Sequence, residues 1–202
     1  APIAMRMGAI NQLAKECGAE IIPADATSIE DLENLFTKSM EILGGKIDFV
    51  LHSIGMSPNV RKGRDYGDLN YDWLQKTLDV SAISFHKVMQ TAEKLDAMNE
   101  WGSIMALSYI AAQRTFPDYS DMAHAKSMLE SIARSYAERF ARLKNVRVNT
   151  ISQSPTMTTA GTGVGGFDVF FDYADKMSPL GNATALDCAN YTVMFFSDFT
   201  RM

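Results

Sequence analysis

A doubly wound α/β fold on a parallel sheet is what this 202-residue sequence predicts, and three observations carry the prediction. Apolar runs of strand length recur, IDFVLHS at 47–53, SIMAL at 103–107 and VRVNTI at 146–151. Helix-length stretches with one apolar face separate them. Short polar or glycine-bearing loops follow the runs. Alternation of this kind implies right-handed crossovers that place helices on the sheet faces.

Each element has its own local cause. Met5 to Cys17 sets Met7, Ile10, Leu13 and Ala14 on one helical stripe and stops at Gly18. Ala19 to Pro23 reads as a short strand, with Asp25 and Ala26 at the turn beyond it. Ser28 to Leu43 is a second amphipathic helix, with Ile29, Leu32, Leu35, Phe36, Met40 and Leu43 on one side, and Gly44-Gly45 ends it. Ile47 to Ser53 is apolar almost throughout, which predicts a strand covered on both faces. Tyr71 to Met98 reads as one long helix, Ser103 to Leu107 as a buried strand, and Tyr119 to Leu143 as a helix. Val146 to Ile151 is the next strand. Thr184 to Ser197 closes with a helix whose Thr184 and Asp187 have capping-box spacing.

Composition narrows the function classes. Hydrophobic residues at 47% and charged residues at 21% are a globular balance, and the length suits a single domain over 1–202. A net charge of −5 argues against a nucleic-acid binder. The one dense basic run, Arg61, Lys62 and Arg64, is too short to track a phosphate backbone and reads as a solvated loop. Cys17 and Cys188 form no spacing motif, which fits a reducing compartment. His52, His86 and His124 lack the spacing of metal ligands, so no metal is expected. No run of 18 apolar residues occurs, so no membrane span is expected. The chain opens Ala1-Pro2-Ile3 rather than on methionine, so its true beginning is expected upstream.

Ligands of such sheets bind beyond the carboxyl ends of the strands. Asp25-Ala26, Ser53-Ile54-Gly55, Tyr109 and residues 155–159 each follow a predicted strand, so four loops converge on one edge. Tyr119 begins the helix after the strand at 103–107, and Lys126 follows it by seven residues. Seven residues are two helical turns, so both side chains share a face about 10 Å apart. One reading packs Tyr119 on the core and lets Lys126 snorkel to water. The other has phenol and ammonium serving two parts of one extended ligand, and the four converging loops support it.

HSIG at 52–55, LSY at 107–109, Tyr119 with Lys126, and VRVNTISQSPTMTTA at 146–160 together resemble the enoyl-acyl carrier protein reductases of the short-chain dehydrogenase/reductase superfamily. The likeness runs in order over nearly the whole chain. Ketone-reducing members of that superfamily usually carry Tyr-x-x-x-Lys and a serine thirteen residues before the tyrosine. Here those positions are Ala123 and Ala106, and Tyr-x6-Lys is the enoyl-reductase pattern. A carbonyl reductase of the same superfamily and a non-catalytic cofactor-binding or assembly protein stand as the alternatives.

The resemblance implies a Rossmann-like sheet and reduction of trans-2-enoyl thioesters in fatty-acid synthesis, with NADH or NADPH as hydride donor. Tyr119 would donate to the enolate oxygen, which needs a positioned donor in a dry site. Lys126 would hold the nicotinamide ribose and favour a more acidic phenol nearby. Tyr109 would assist in proton delivery or substrate placement, or else form an aromatic wall. Asp25 and Ala26 would meet the adenine, although Asp25 also suits a turn before Thr27-Ser28. Ser53, Ile54 and Gly55 would let the cofactor approach the backbone, and Ser57 would contact substrate. Thr156, Met157, Thr158, Thr159 and Ala160 would contact nicotinamide and pyrophosphate, Thr158 being the best phosphate donor.

Residues 161–177, GTGVGGFDVFFDYADKM, put four glycines before Phe167, Phe170, Phe171 and Ala174 at helical spacing. Glycines here are misplaced for a dinucleotide fingerprint, which belongs after the first strand. A glycine-hinged flap over the acyl chain, or a plain surface helix, fits instead. Only Lys176 is positive there, so the surface meeting acyl carrier protein is open, with Arg61, Lys62 and Arg64 as a substitute. In the superfamily's sheet order, 3-2-1-4-5-6-7, the strand at 19–23 is the third. The first, second and last strands are then expected outside residues 1–202. A cytoplasmic homotetramer, packed through the helices at 71–98 and 119–143, completes the expectation.

Overall fold

The computed structural model describes residues 8–116, 118–157 and 167–201. Strands β1 (Ile47–His52), β2 (Met98–Ser108) and β3 (Arg147–Ser152) form a parallel three-stranded sheet in that order. Helix α1 (Ala9–Cys17) and helix α2 (Ile29–Leu43) precede it. The short α3 (Pro58–Arg61), α4 (Tyr71–Leu78) and α5 (Ser84–Lys94) connect β1 to β2, and α6 (Ser120–Lys144) connects β2 to β3. Helices α7 (Phe167–Met177) and α8 (Ala185–Phe196) follow.

Most boundaries have visible chemical causes. Ser28 starts α2 by accepting the Asp31 N–H, and Gly44 stops it at φ 70°. Asn70 accepts from Trp73 N at α4, and Asn145 closes α6 at φ 56°. Thr184 and Asp187 form the predicted capping box at α8. Leu32 and Phe36 from α2, Phe85 and Met89 from α5, and Leu129 and Phe140 from α6 bury against Ile104 and Ala106 of β2 and Val148 of β3. The opposite face of the sheet meets α8, where Phe49 stacks on Phe196 at 5.0 Å and Ser103 Oγ donates to the Phe195 carbonyl.

Four sequence expectations are corrected here. Ala19–Pro23 forms no strand, because a strand needs a ladder partner and none of the three strands lies beside it. The β1 run is not covered on both faces: Phe49 and Leu51 are 51% and 46% exposed on the α8 side, while Val50 faces the core. The helix from Tyr71 is not uninterrupted to Met98. A π-helical turn at Asp79–Ile83 divides it, and it ends at Lys94, before Asp96 turns the chain at φ 50°. Finally, β2 begins at Met98 rather than Ser103. Ile47 pairs with Met98 but Phe49 pairs with Ser103, so residues 99–102 bulge from the ladder. Gly102 permits this, since a Cβ there would stand 3.0 Å from the carbonyl oxygens of Asn99 and Asp48.

Candidate active site

The carboxyl ends of β1, β2 and β3 open into a cleft of about 950 Å³. The loop after β1 supplies Ser53, Ile54, Gly55, Met56 and Ser57, the end of β2 supplies Ser108 and Tyr109, and the loop after β3 supplies Gln153 to Thr156. Tyr119, Met122 and Lys126 come from the start of α6, and Phe167, Val169, Phe170 and Tyr173 from α7. Three of the four loops predicted to converge therefore do so. Asp25 and Ala26 are not among the lining residues. The Asp25 carboxylate instead accepts the Thr27 N–H at 2.9 Å and the Thr27 hydroxyl at 2.8 Å, which holds its pKa below the usual carboxylate range.

Tyr119 is the N-cap residue of α6 and is half-buried, with its ring 4.9 Å from that of Tyr109. The flanking residues Asp118 and Ser120 lie in the left-handed region at φ 63° and 45°. Such backbone costs on the order of 1–3 kcal/mol per residue and is concentrated at functional sites. Tyr109, 7% exposed, leans on Phe116 and Phe170 as well. Burial pushes the Tyr119 phenol up to about 12, and burial followed by the neighbouring Tyr119 pushes Tyr109 higher still. With burial as the cause of its raised pKa, the Tyr119 phenol is a neutral donor at neutral pH.

Lys126 is 7% exposed, and its Nζ donates to the Leu107 carbonyl at 2.6 Å. Burial brings its pKa down to about 8, so the ammonium still dominates at neutral pH. The plain-packing reading of this residue therefore fails: it does not snorkel to water. Beside it, His52 is buried with Nε2 2.8 Å from Ser84 Oγ. Ser84 spends its own proton on the Val80 carbonyl, so His52 Nε2 is the donor and the ring is neutral. Burial, then the charge of Lys126, holds the imidazole down at about 4.

Thr156 lines the cleft, with its hydroxyl on the Ser154 carbonyl at 3.1 Å, whereas Met157 is 58% exposed and outside the lining. Thr158, Thr159 and Ala160 lie outside the described residues, as does the glycine stretch 161–166 of the expected flap. Ser57 lines the cleft but its hydroxyl is engaged: it accepts the Val60 N–H at 3.0 Å and donates to Asp121 at 2.6 Å. Sequence reasoning missed Asp121, fully buried two residues after Tyr119, and Ser81, which accepts Met56 N–H and donates to the Met56 carbonyl. Neither has a sequence signal, because their partners are far away along the chain. Arg61 and Phe116 also line the cleft unpredicted. Among the described residues no group of three acidic, histidine or cysteine side chains is placed to hold a metal.

A sequence profile described as "Enoyl-(Acyl carrier protein) reductase" matches residues 3–202. The curated protein "Enoyl-[acyl-carrier-protein] reductase [NADH] 1" of Rhizobium meliloti (strain 1021) is 32% identical over 193 residues, covering 95% of this chain and 70% of that protein. Among solved structures, the FabI-NADH complex of Alistipes finegoldii superposes with a TM-score of 0.96 at 64% identity, over 98% of this chain and 70% of that one. The enoyl-[acyl-carrier-protein] reductase (NADH) of Aquifex aeolicus VF5 superposes with a TM-score of 0.85 at 29% identity, over 95% and 75% of the two chains. The parallel α/β fold of this chain thus has close structural counterparts among NADH-dependent enoyl-[acyl-carrier-protein] reductases. The chain belongs to the enoyl-(acyl carrier protein) reductase family.

Proposed function

We propose that this protein reduces trans-2-enoyl thioesters of acyl carrier protein to acyl thioesters in fatty-acid synthesis, using NADH. The observation that carries the reading is the meeting of Tyr119, Tyr109 and Lys126 in one apolar-walled cleft at the sheet's carboxyl edge. Gly55 supports a dinucleotide there. A Cβ at this position would stand 3.9 Å from Lys126 Nζ and 3.8 Å from Met122 Cε, so bare backbone leaves a shelf beside the ammonium. Lys126 would hold the ribose hydroxyls and Thr156 would face the same ligand. Reduced nicotinamide, when bound, supplies the hydride that adds to the β-carbon.

The chain's own groups do the rest. Negative charge builds on the thioester oxygen as the hydride arrives, the neutral Tyr119 hydroxyl donates a hydrogen bond to it, and a proton from solvent then adds at the α-carbon to give the acyl thioester. The aromatic wall of Tyr109 and Phe116 keeps water from that oxygen. Helix α7 acts as the flap over the acyl chain, with Phe167, Phe170 and Tyr173 turned to the cleft. Residues 1–202 form part of one cofactor-binding domain in this reading, a cytoplasmic homotetramer in solution. NADPH is the alternative donor.

The test is comparative turnover. Crotonyl thioester should oxidise NADH, and acetoacetyl thioester should do so much more slowly, because Ala106 and Ala123 occupy the ketone-reductase positions. Faster reduction of the ketone would give the site to carbonyl reduction instead, and no turnover of either would leave a cofactor-binding protein.

A further inference from the structure

A fully buried carboxyl group near the site is one the proposed chemistry does not use. Asp121, fully buried in the first turn of α6, receives Ser57 Oγ at 2.6 Å, Asn59 Nδ2 at 2.8 Å and Thr77 Oγ1 at 2.9 Å. Among the described residues it makes no ion pair, so hydrogen bonds and the α6 N-terminus are what compensate its burial. The donors come from separate elements. Ser57 is the N-cap of α3 and Asn59 lies within α3, while Thr77 is on α4, where its hydroxyl oxygen also lies 2.8 Å from the Trp73 carbonyl oxygen. Asn59 is saturated in turn: its Nδ2 reaches the Asn70 carbonyl and its Oδ1 accepts the Asn70 N–H. Asn70 caps α4. One carboxylate therefore fastens the Ser57–Arg61 turn and the start of α4 to the helix turn that carries Tyr119.

Only one side of this knot borders the cleft. Ser57, Val60 and Arg61 line it, whereas Asp121, Asn59 and Thr77 do not. We propose that Asp121 is a positioning residue that fixes the Ser57–Arg61 turn, as a wall of the acyl thioester site, relative to Tyr119. The inference rests on the enoyl-thioester reading for its kinetic consequence, and on geometry alone for the lock itself. A carboxylate suits the task because it is an acceptor on every side, and all three partners here are donors. A carboxamide of the same shape must keep its oxygen toward Asn59 Nδ2, which can only donate, so its N–H turns toward Ser57, whose hydroxyl must then reverse its bond. Its proton would then be unpartnered at the cleft wall.

The test compares Asp121→Asn with Thr77→Val, which removes the link farthest from the cleft while keeping the side-chain shape. Asp121→Asn should raise KM for crotonyl thioester about tenfold, the size of a lost charge-assisted hydrogen bond, with NADH affinity within about twofold of the parent. It should also speed amide hydrogen exchange in residues 56–62, read by mass spectrometry. Thr77→Val should lower Tm with KM and exchange in 56–62 within about twofold of the parent. Equal shifts in KM and exchange in the two variants, or a fall in Tm alone for Asp121→Asn, would make Asp121 a stability residue and overturn the inference. If the parent protein reduces no enoyl thioester, the activity reading falls; the exchange comparison still decides for or against the lock.

Discussion

In the proposed reaction, Tyr119 and Lys126 would act at different stages. The charge that Tyr119 meets exists mainly in the transition state, so Tyr119→Phe should lower kcat and kcat/KM together by about a hundredfold, roughly 3 kcal/mol, and spare NADH affinity. Lys126 meets a cofactor group present throughout, so Lys126→Ala should weaken NADH binding as well as rate. Its pKa, lowered to about 8 by burial, adds a pH signature. The ammonium is present below that value and is lost as pH rises through it. NADH affinity should therefore fall above about pH 8 in the parent and stay flat in Lys126→Ala. Titrating NADH by fluorescence across that range checks both; an affinity loss confined to Tyr119→Phe would reverse the assignment. This pair was legible from its spacing and from the loops around it. Asp121 was not, since Ser57 and Thr77 lie 64 and 44 residues away from it and no local pattern announces them.

Elements with local causes were read well. Ser28, Gly44 and the Thr184–Asp187 pair mark their helix ends in sequence and do so in the fold. Elements that depend on partners were read badly. Ala19–Pro23 has strand-like composition but no pairing neighbour among the described residues, and the π turn at Asp79–Ile83 carries Ser81, whose side chain bonds a loop 25 residues away. Helix α7 sits between the two cases: its Phe spacing predicted an apolar face, and Phe170 meets Tyr109 at 5.7 Å and Phe116 at 4.7 Å. If this face covers the acyl chain, Phe170→Ala should raise KM for a twelve-carbon enoyl thioester about tenfold, from lost apolar contact. Crotonyl thioester, too short to reach it, should change little. Equal effects on both substrates would make α7 a structural helix.

At the scale of the molecule, the same helices that build the core also present a surface. Phe85 and Phe140, on the two helices expected to pack the tetramer, are 0% and 3% exposed and belong to the chain's own core. Trp73, Leu74, Ile83 and Ile132 are only half-buried, and Met128 is 39% exposed on α6. A homotetramer packed through α4, α5 and α6 would cover them, consistent with the apolar centres of obligate interfaces. Sedimentation equilibrium at working concentration should give a mass four times that of the protomer, and a monomer alone would end the proposal.

The bond from Lys126 to the Leu107 carbonyl has a thermodynamic corollary. An exposed lysine must shed its hydration and freeze four rotatable bonds each time a ligand arrives. Here both losses are incurred once, when the chain folds, because the ammonium is already dry and already aimed. A ribose docking there as proposed would meet a donor with two protons to spare, and the exchange would need little rearrangement of side chain or solvent. Repeated cofactor turnover is where that would matter: each cycle of release and rebinding would start from an anchor already held at the Leu107 carbonyl.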